Sequence, residues 1–390
     1  MTSHIMPTYA RLPVTFDRGE GAWLWDQDGK RYLDALAGIS VCNLGHAHPK
    51  VHQAICEQSA KLLHTSNLYN IAVQEALATR LIALSGMENV FFSNSGAEAN
   101  EAAIKLARKY GHQKGIARPE IIVMEQSFHG RTLATLSATG NAKVQQGFEP
   151  LVEGFVRVPY NDISAIKTAL TEHPNVVAIL LEPVQGEGGI NIPAADYLQE
   201  IRALCHRHQI LMMLDEIQAG MGRTGKMFAF QHADIVPDVC TLAKALGNGV
   251  PIGACLAAGP AAKLFNPGNH GSTFGGNPLA CSAALAVLAT LEEEQLVPAA
   301  TLKGKKLCDA FKQQLSGCPQ VKEIRNLGLM IGIELTLPCA DLVSQALAAG
   351  LLINVTNTVV IRLLPPLIID DAQIELLATG LSNLIKAYSD

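Results

Sequence analysis

Charge is scarce in this chain. Asp, Glu, Lys and Arg together make up 17% of its 390 residues, the net charge is −5 and no basic run occurs, which argues against a nucleic-acid-binding surface. No apolar stretch reaches the roughly 18 residues of a membrane span. The opening Met-Thr-Ser-His-Ile-Met-Pro has neither the basic region nor the apolar core of a secretory signal, so a cytoplasmic protein without membrane contact is expected. Aromatic residues are only 5%. The nine cysteines are an odd number, scattered and without a Cys-x-x-Cys pair, which points to reduced, mostly buried thiols rather than a disulfide framework.

What is present is enough apolar material, 48%, to bury a large core and to form two domains. The informative stretch runs from Ile210 to Gly253. The apolar run Ile210-Leu-Met-Met-Leu214 stops on Asp215 and Glu216, and after a glycine-rich passage a second run, Val239-Cys-Thr-Leu242, stops on Ala243-Lys244. Each run is of strand length, and each delivers an ionisable group at its C-terminal end, where open α/β sheets place their ligands. A lone lysine after a strand is commonly a solvated charge, and an Asp-Glu pair is commonly a helix cap. Lys244, however, leads into a glycine-rich turn and another apolar strand, which is unusual for a surface loop. An acid and a lysine so placed suit pyridoxal 5′-phosphate (PLP), whose aldehyde forms a Schiff base with an amine and whose ring nitrogen needs an anion.

Other segments fall into place around that pair. Asp26-Gln-Asp-Gly29 reads as a hairpin turn between Ala22–Trp25 and Arg31–Asp34. His46 and His48 have metal-like spacing but no third ligand near, so a plain glycine-proline turn is the better account. Val90-Phe-Phe92 is a strand, Ser93–Ala97 a turn, and Ala99, Ala102, Ala103, Leu106, Ala107 and Tyr110 a helical stripe. A small turn opening a helix offers free N–H groups to a phosphate, which makes Ser95, Gly96 and Ala97 the candidate phosphate cup. Val359-Val-Ile-Arg362-Leu-Leu is an apolar strand interrupted by an arginine that must reach solvent or meet an acid. From about Leu302 the elements shorten toward a smaller α+β domain.

Over nearly its whole length the chain resembles the class III (ω-type) aminotransferases of PLP fold type I. The resemblance rests on the lysine segment and on Gly-His-Ala-His-Pro at 45–49, Phe-His-Gly-Arg-Thr at 128–132, Glu-Pro-Val-Gln-Gly-Glu-Gly-Gly at 182–189 and Gly-Ser-Thr-Phe-Gly-Gly-Asn-Pro at 271–278. It implies an α/β fold with a mostly parallel central sheet flanked by helices. Residues 1–63 would contribute to the small domain, 64–301 would form the large PLP-binding domain and 302–390 the small α+β domain. Lys244 and Asp215 would be catalytic, and Phe128, Glu216, Ile217 and Gln218 would bind the cofactor, Phe128 stacking on its ring and Gln218 reaching its hydroxyl. The enzyme would be a homodimer with shared sites, Thr273 serving the partner's cofactor phosphate. Arg131 would hold a substrate carboxylate, Glu187 would pair with Arg362, and Ser272 and Ile39 would also face the substrate.

The implied reaction moves the terminal amino group of an N2-acylated ornithine, best N2-acetylornithine, to 2-oxoglutarate, a step of arginine biosynthesis. Succinylornithine, ornithine and 4-aminobutyrate are the alternatives among near relatives. Ornithine-specific relatives carry a tyrosine where Ile39 stands, and a free α-ammonium against this hydrocarbon would lose water without gaining an acceptor. Outside the aminotransferases, a PLP aminomutase would need no external 2-oxo acid. A ligand-binding regulator of the same fold would carry a basic DNA-binding extension, which the net charge and the early start of the enzyme pattern oppose.

Overall fold

A computed structural model describes residues 4–388. The chain opens with an antiparallel meander of β1 (Phe16–Glu20), β2 (Trp23–Asp26) and β3 (Arg31–Asp34). The turn between β2 and β3 forms because Asp26 Oδ1 accepts the N–H groups of Asp28 and Lys30, at 3.1 and 2.9 Å, and Gly29 takes a positive φ of 81°.

The central sheet contains β4 (Asn89–Ser93), β5 (Glu120–Met124), β6 (Phe155–Val158), β7 (Val176–Leu181), β8 (Leu211–Asp215), β9 (Val239–Leu242) and β10 (Gly253–Ala257), in the order β4-β10-β9-β8-β7-β5-β6. Only β10 runs against its neighbours. Strand side chains alternate between faces, and the apolar runs therefore feed two cores. Ile121, Val123, Ala178, Leu180, Leu211 and Met213 face the helix Gly96–Gln113 through its Ala102, Ala103, Leu106 and Ala107. Ile122, Met124, Ile179, Leu181, Met212 and Leu214 face the opposite core with Ile201 of helix Tyr197–His208 and Val287 of helix Pro278–Glu293. Truncating a fully buried residue such as Leu180 to alanine would cost about 2–5 kcal/mol.

The C-terminal region builds β11 (Val321–Leu327), β12 (Met330–Leu335), β13 (Leu351–Leu352), β14 (Asn354–Thr356) and β15 (Val360–Leu363), with sheet order β11-β12-β15-β14. Strand β13 instead pairs in parallel with β3, so the two ends of the chain share a sheet.

One local feature is foreign to the sequence pattern. Ala37, Gly38, Ile39 and Ser40 all have positive φ, at 51°, 64°, 66° and 60°. Such a left-handed turn costs about 1–2 kcal/mol for each non-glycine residue. It is held by Asp34, whose Oδ1 accepts from the N–H groups of Leu36 and Ala37 at 3.0 and 2.8 Å, and by Ser40, whose hydroxyl donates to the Gln218 carbonyl at 3.1 Å. Arg223, fully buried, donates from Nε to Ser40 at 3.0 Å, and also to Asn43 and to the carbonyls of Leu329 and Pro365. This arginine thereby ties the turn to the C-terminal region; burial lowers its pKa to about 9.

Candidate active site

A cavity of about 380 Å³ opens along the C-terminal edge of the parallel strands, lined by groups from the loops after β4, β5, β7, β8 and β9. Lys244 follows β9 and starts a short 3₁₀ turn with φ 47°. A lysine in the left-handed region is strained backbone of the kind that collects at functional sites. Burial draws the pKa of its amine below the ordinary lysine value; Glu187, Asp215 and Glu182 oppose that shift and Arg362 adds to it.

Asp215 ends β8 with its carboxylate buried. Its Oδ2 accepts from Asn100 Nδ2 and meets His129 Nδ1, both at 2.8 Å, while its Oδ1 accepts from the Ile217 N–H at 3.1 Å. Asn100 is itself fixed by Thr241, whose hydroxyl donates to it at 2.7 Å. His129 Nε2 is buried and has no hydrogen-bond partner.

Ser95 caps helix Gly96–Gln113, its hydroxyl accepting from the Glu98 N–H at 3.2 Å. The amides of Gly96 and Ala97 lie in the first turn, where no intrahelical carbonyl can reach them. Glycine at 96 lets Ile217 pack against the helix start: a Cβ there would sit 2.6 Å from Ile217 Cδ1, so that side chain would have to shift. Ser95, Gly96, Ala97, Phe128, Ile217 and Gln218 share the cavity wall with Lys244 and Asp215.

Two arginines stand near the lysine. Arg131 is exposed on the cavity wall with its guanidinium 5.6 Å from the Phe128 ring centre. Arg362 is buried in β15 and donates to Glu187 Oε1 at 2.5 Å, to Asn354 Oδ1 at 2.7 Å and to Gln218 Oε1 at 3.3 Å. Glu187 lines the cavity.

Five of the expected residues do not line the cavity: Arg362 meets it only through Glu187 and Gln218, which do, and the other four lie elsewhere. Glu216 turns away from the cavity: its carboxylate accepts from the Ala229 and Phe230 N–H groups at 2.6 and 2.7 Å, and burial pushes its pKa up to about 8. Ile39 packs against the apolar cluster of Val184, Ile190 and Ala219, and Val41, two residues on, lines the cavity. Ser272 accepts from Asn94 Nδ2 at 3.1 Å and Thr273 is exposed; neither lines this chain's cavity.

Sequence reasoning left several groups unassigned. Glu182, at the end of β7, accepts the N–H groups of Phe128 and Gly186, each at 3.0 Å, and so joins two loops of the site. Burial raises its pKa to about 7. Its place directly after an apolar strand is the same signal that exposed Asp215. Asn100 and His129 carried weaker signals: an amide amid the alanines of a helix, and a histidine beside Phe128.

A lysine, an anion held at a fixed point, an aromatic face and a free helix N-terminus surround one cavity, and together they fit PLP. The fold and site are those of a PLP-dependent enzyme of fold type I.

Comparison with known proteins narrows this. The family model described as Aminotransferase class-III matches residues 5–385. The chain is 59% identical over 386 residues to an acetylornithine aminotransferase of Nitrosomonas europaea, covering 99% of this chain and 98% of the relative. An ornithine aminotransferase from Toxoplasma gondii superposes with a TM-score of 0.95 at 36% identity, covering 98% of this chain and 93% of that one. An acetylornithine aminotransferase from Elizabethkingia anophelis gives 0.88 at 36% identity, with 99% and 97% covered. The chain belongs to the class III aminotransferases, enzymes that use PLP to move an amino group between an amine and a 2-oxo acid. No helix among the described residues is long and apolar enough to cross a membrane.

Proposed function

We propose that this enzyme transfers the terminal amino group of N2-acetylornithine to 2-oxoglutarate, giving N-acetylglutamate 5-semialdehyde and glutamate. The observation that carries the reading is the buried Arg362 closed by Glu187 at 2.5 Å beside the lysine, with a second arginine, Arg131, on the cavity wall. The 59% identity to the acetylornithine aminotransferase of Nitrosomonas europaea supports it.

PLP, when bound, supplies an aldehyde that takes the amino group and a ring that takes up an electron pair. The Gly96 and Ala97 amides would hold its phosphate, Phe128 would cover a ring face and Asp215 would stand at the ring nitrogen. Lys244 Nζ is the group that moves the proton at the donor's terminal carbon; its lowered pKa favours the neutral amine that such a base requires. Arg131 takes the donor's carboxylate while Glu187 keeps Arg362 neutralised. Glutamate instead displaces Glu187 and sets its α-carboxylate on Arg362, which lets one cavity serve both half-reactions.

The active form is read as a homodimer. Thr273 lies outside its own cavity, beside exposed Phe274, and the Asn67 amide that holds the Ser272 and Gly275 carbonyls precedes exposed Leu68 and Tyr69. An apolar patch of this kind at a loop tip suits a protein interface.

The aliphatic Val41 on the cavity wall offers no acceptor to a free α-ammonium, whereas an acylated nitrogen is neutral. Desolvating a polar group without compensation costs roughly 1–3 kcal/mol, so N2-acetylornithine should exceed free ornithine in kcat/KM by at least roughly tenfold. The test measures kcat/KM for acetylornithine, succinylornithine, ornithine and 4-aminobutyrate with 2-oxoglutarate as acceptor. Ornithine matching the acylated donors would reject the substrate reading.

A further inference from the structure

Strand β14 grips both members of the Arg362–Glu187 pair, but at different points. Asn354 is the direct cross-strand neighbour of Arg362, and its Oδ1 accepts from the guanidinium at 2.7 Å. Thr356, on the same face two residues on, donates its hydroxyl to the backbone carbonyl of Glu187. On the other flank Arg362 faces Gly332, where a Cβ would come within 3.0 Å of Ile190, so the glycine leaves room for the loop that carries Glu187. The arginine side chain is 1% exposed and the glutamate side chain 36%. The arginine head is therefore fixed and the glutamate backbone is fixed. Only the glutamate side chain is free to move.

We propose that Asn354 is the positioning residue of the acceptor site: it keeps the Arg362 guanidinium in place when Glu187 swings aside, and its neutrality leaves that cation open to an incoming carboxylate. With Glu187 displaced, the remaining side-chain acceptors on Arg362 are the carboxamides of Asn354 and Gln218, neither of which carries charge. A buried guanidinium held only by neutral acceptors lacks a counter-ion, and a dicarboxylate substrate supplies one. An aspartate at 354 would have nearly the same shape and would supply a permanent counter-charge. The inference rests on the assignment of Arg362 to the acceptor's carboxylate.

The test uses glutarate, a five-carbon dicarboxylate with neither amino nor keto group, titrated calorimetrically into the PLP-loaded enzyme. Asn354→Asp should weaken glutarate by at least about tenfold, and Asn354→Ala, which adds no charge, by less. Single-turnover traces should show the glutamate half-reaction slowed more than the donor half-reaction in Asn354→Asp. A purely structural role predicts the reverse order, because alanine leaves a gap and aspartate does not. Asn354→Ala doing as much harm as Asn354→Asp, or Asn354→Asp binding glutarate like the wild type, would overturn the inference. If the aspartate variant does not fold, Asn354→Ser takes its place: a loss below about threefold supports the neutral-acceptor role, and a loss as large as that of Arg362→Ala overturns it. Arg362→Ala separates the two levels. Unchanged glutarate binding there removes the carboxylate assignment and this inference with it, whereas a clear loss there combined with the reversed Asn354 order removes this inference alone.

Discussion

The imidazole of His129 stands 2.8 Å from the carboxylate of Asp215, with both side chains buried. Three hydrogen-bonding neighbours, His129, Asn100 and the Ile217 amide, fix where the negative oxygens sit before any ligand arrives. A preorganised charge of this kind is effective because nothing must reorganise during the reaction. Asp215→Asn keeps the size and removes the charge. Turnover should fall roughly 10²–10³-fold while the circular dichroism spectrum is unchanged; an active Asp215→Asn enzyme would remove the ring-nitrogen assignment.

Lys244→Ala should abolish turnover, since no other side chain on the cavity wall offers an amine. Thr273→Ala should impair the partner's site rather than its own. Mixed dimers of the two variants would then contain one site with both lesions and one with neither. Partial recovery of activity on mixing is expected, and mixed dimers that regain nothing would contradict the shared site.

Lys244, Asp215 and Arg362 were legible because each breaks or ends an apolar run, and a charge in such a place must be used or neutralised. The strands themselves were legible as short apolar runs of strand length. Other features were hidden for physical reasons. Asn100 reaches Asp215 across 115 positions of sequence, and nothing local announces that contact. Gly253–Ala257 is apolar in either direction, so its antiparallel run could not be read. The left-handed turn at Ala37–Ser40 is imposed by Asp34, Gln218 and Arg223, two of which lie far along the chain. The outward turn of Glu216 was available in principle: adjacent residues at a strand end point to opposite faces, and Asp215 already claims the inner one.

Glu187→Ala should harm the two half-reactions unequally. The variant leaves Arg362, 1% exposed, without its anionic partner, and a buried cation left unpaired is unfavourable. Glutamate brings a carboxylate that restores the balance. The acylated diamino donor brings none to that point and meets an unpaired cation. Stopped-flow traces of each half should therefore show the donor half slowed more; equal slowing would contradict the switch.

The His46–Asp34 pair adjoins the left-handed turn through Asp34, and it makes stability depend on pH. Burial pulls the His46 pKa down, but Asp34, 2.8 Å away, and Cys42 outweigh it and raise the value from 6.5 to about 9. A base whose pKa is raised on folding stabilises the fold while it is protonated. Its contribution is complete below 6.5 and is lost as the pH climbs through about 9. Asp34→Asn preserves the Oδ1 acceptor used by the Leu36 and Ala37 N–H groups, so the turn keeps its anchor, and only the charge goes. The variant should melt below the wild type near about pH 6, and the two melting temperatures should converge by about pH 10. Thermal scans across that range check this. A gap that stays constant with pH would mean that Asp34 acts through the turn alone and that the ion pair with His46 contributes nothing to stability.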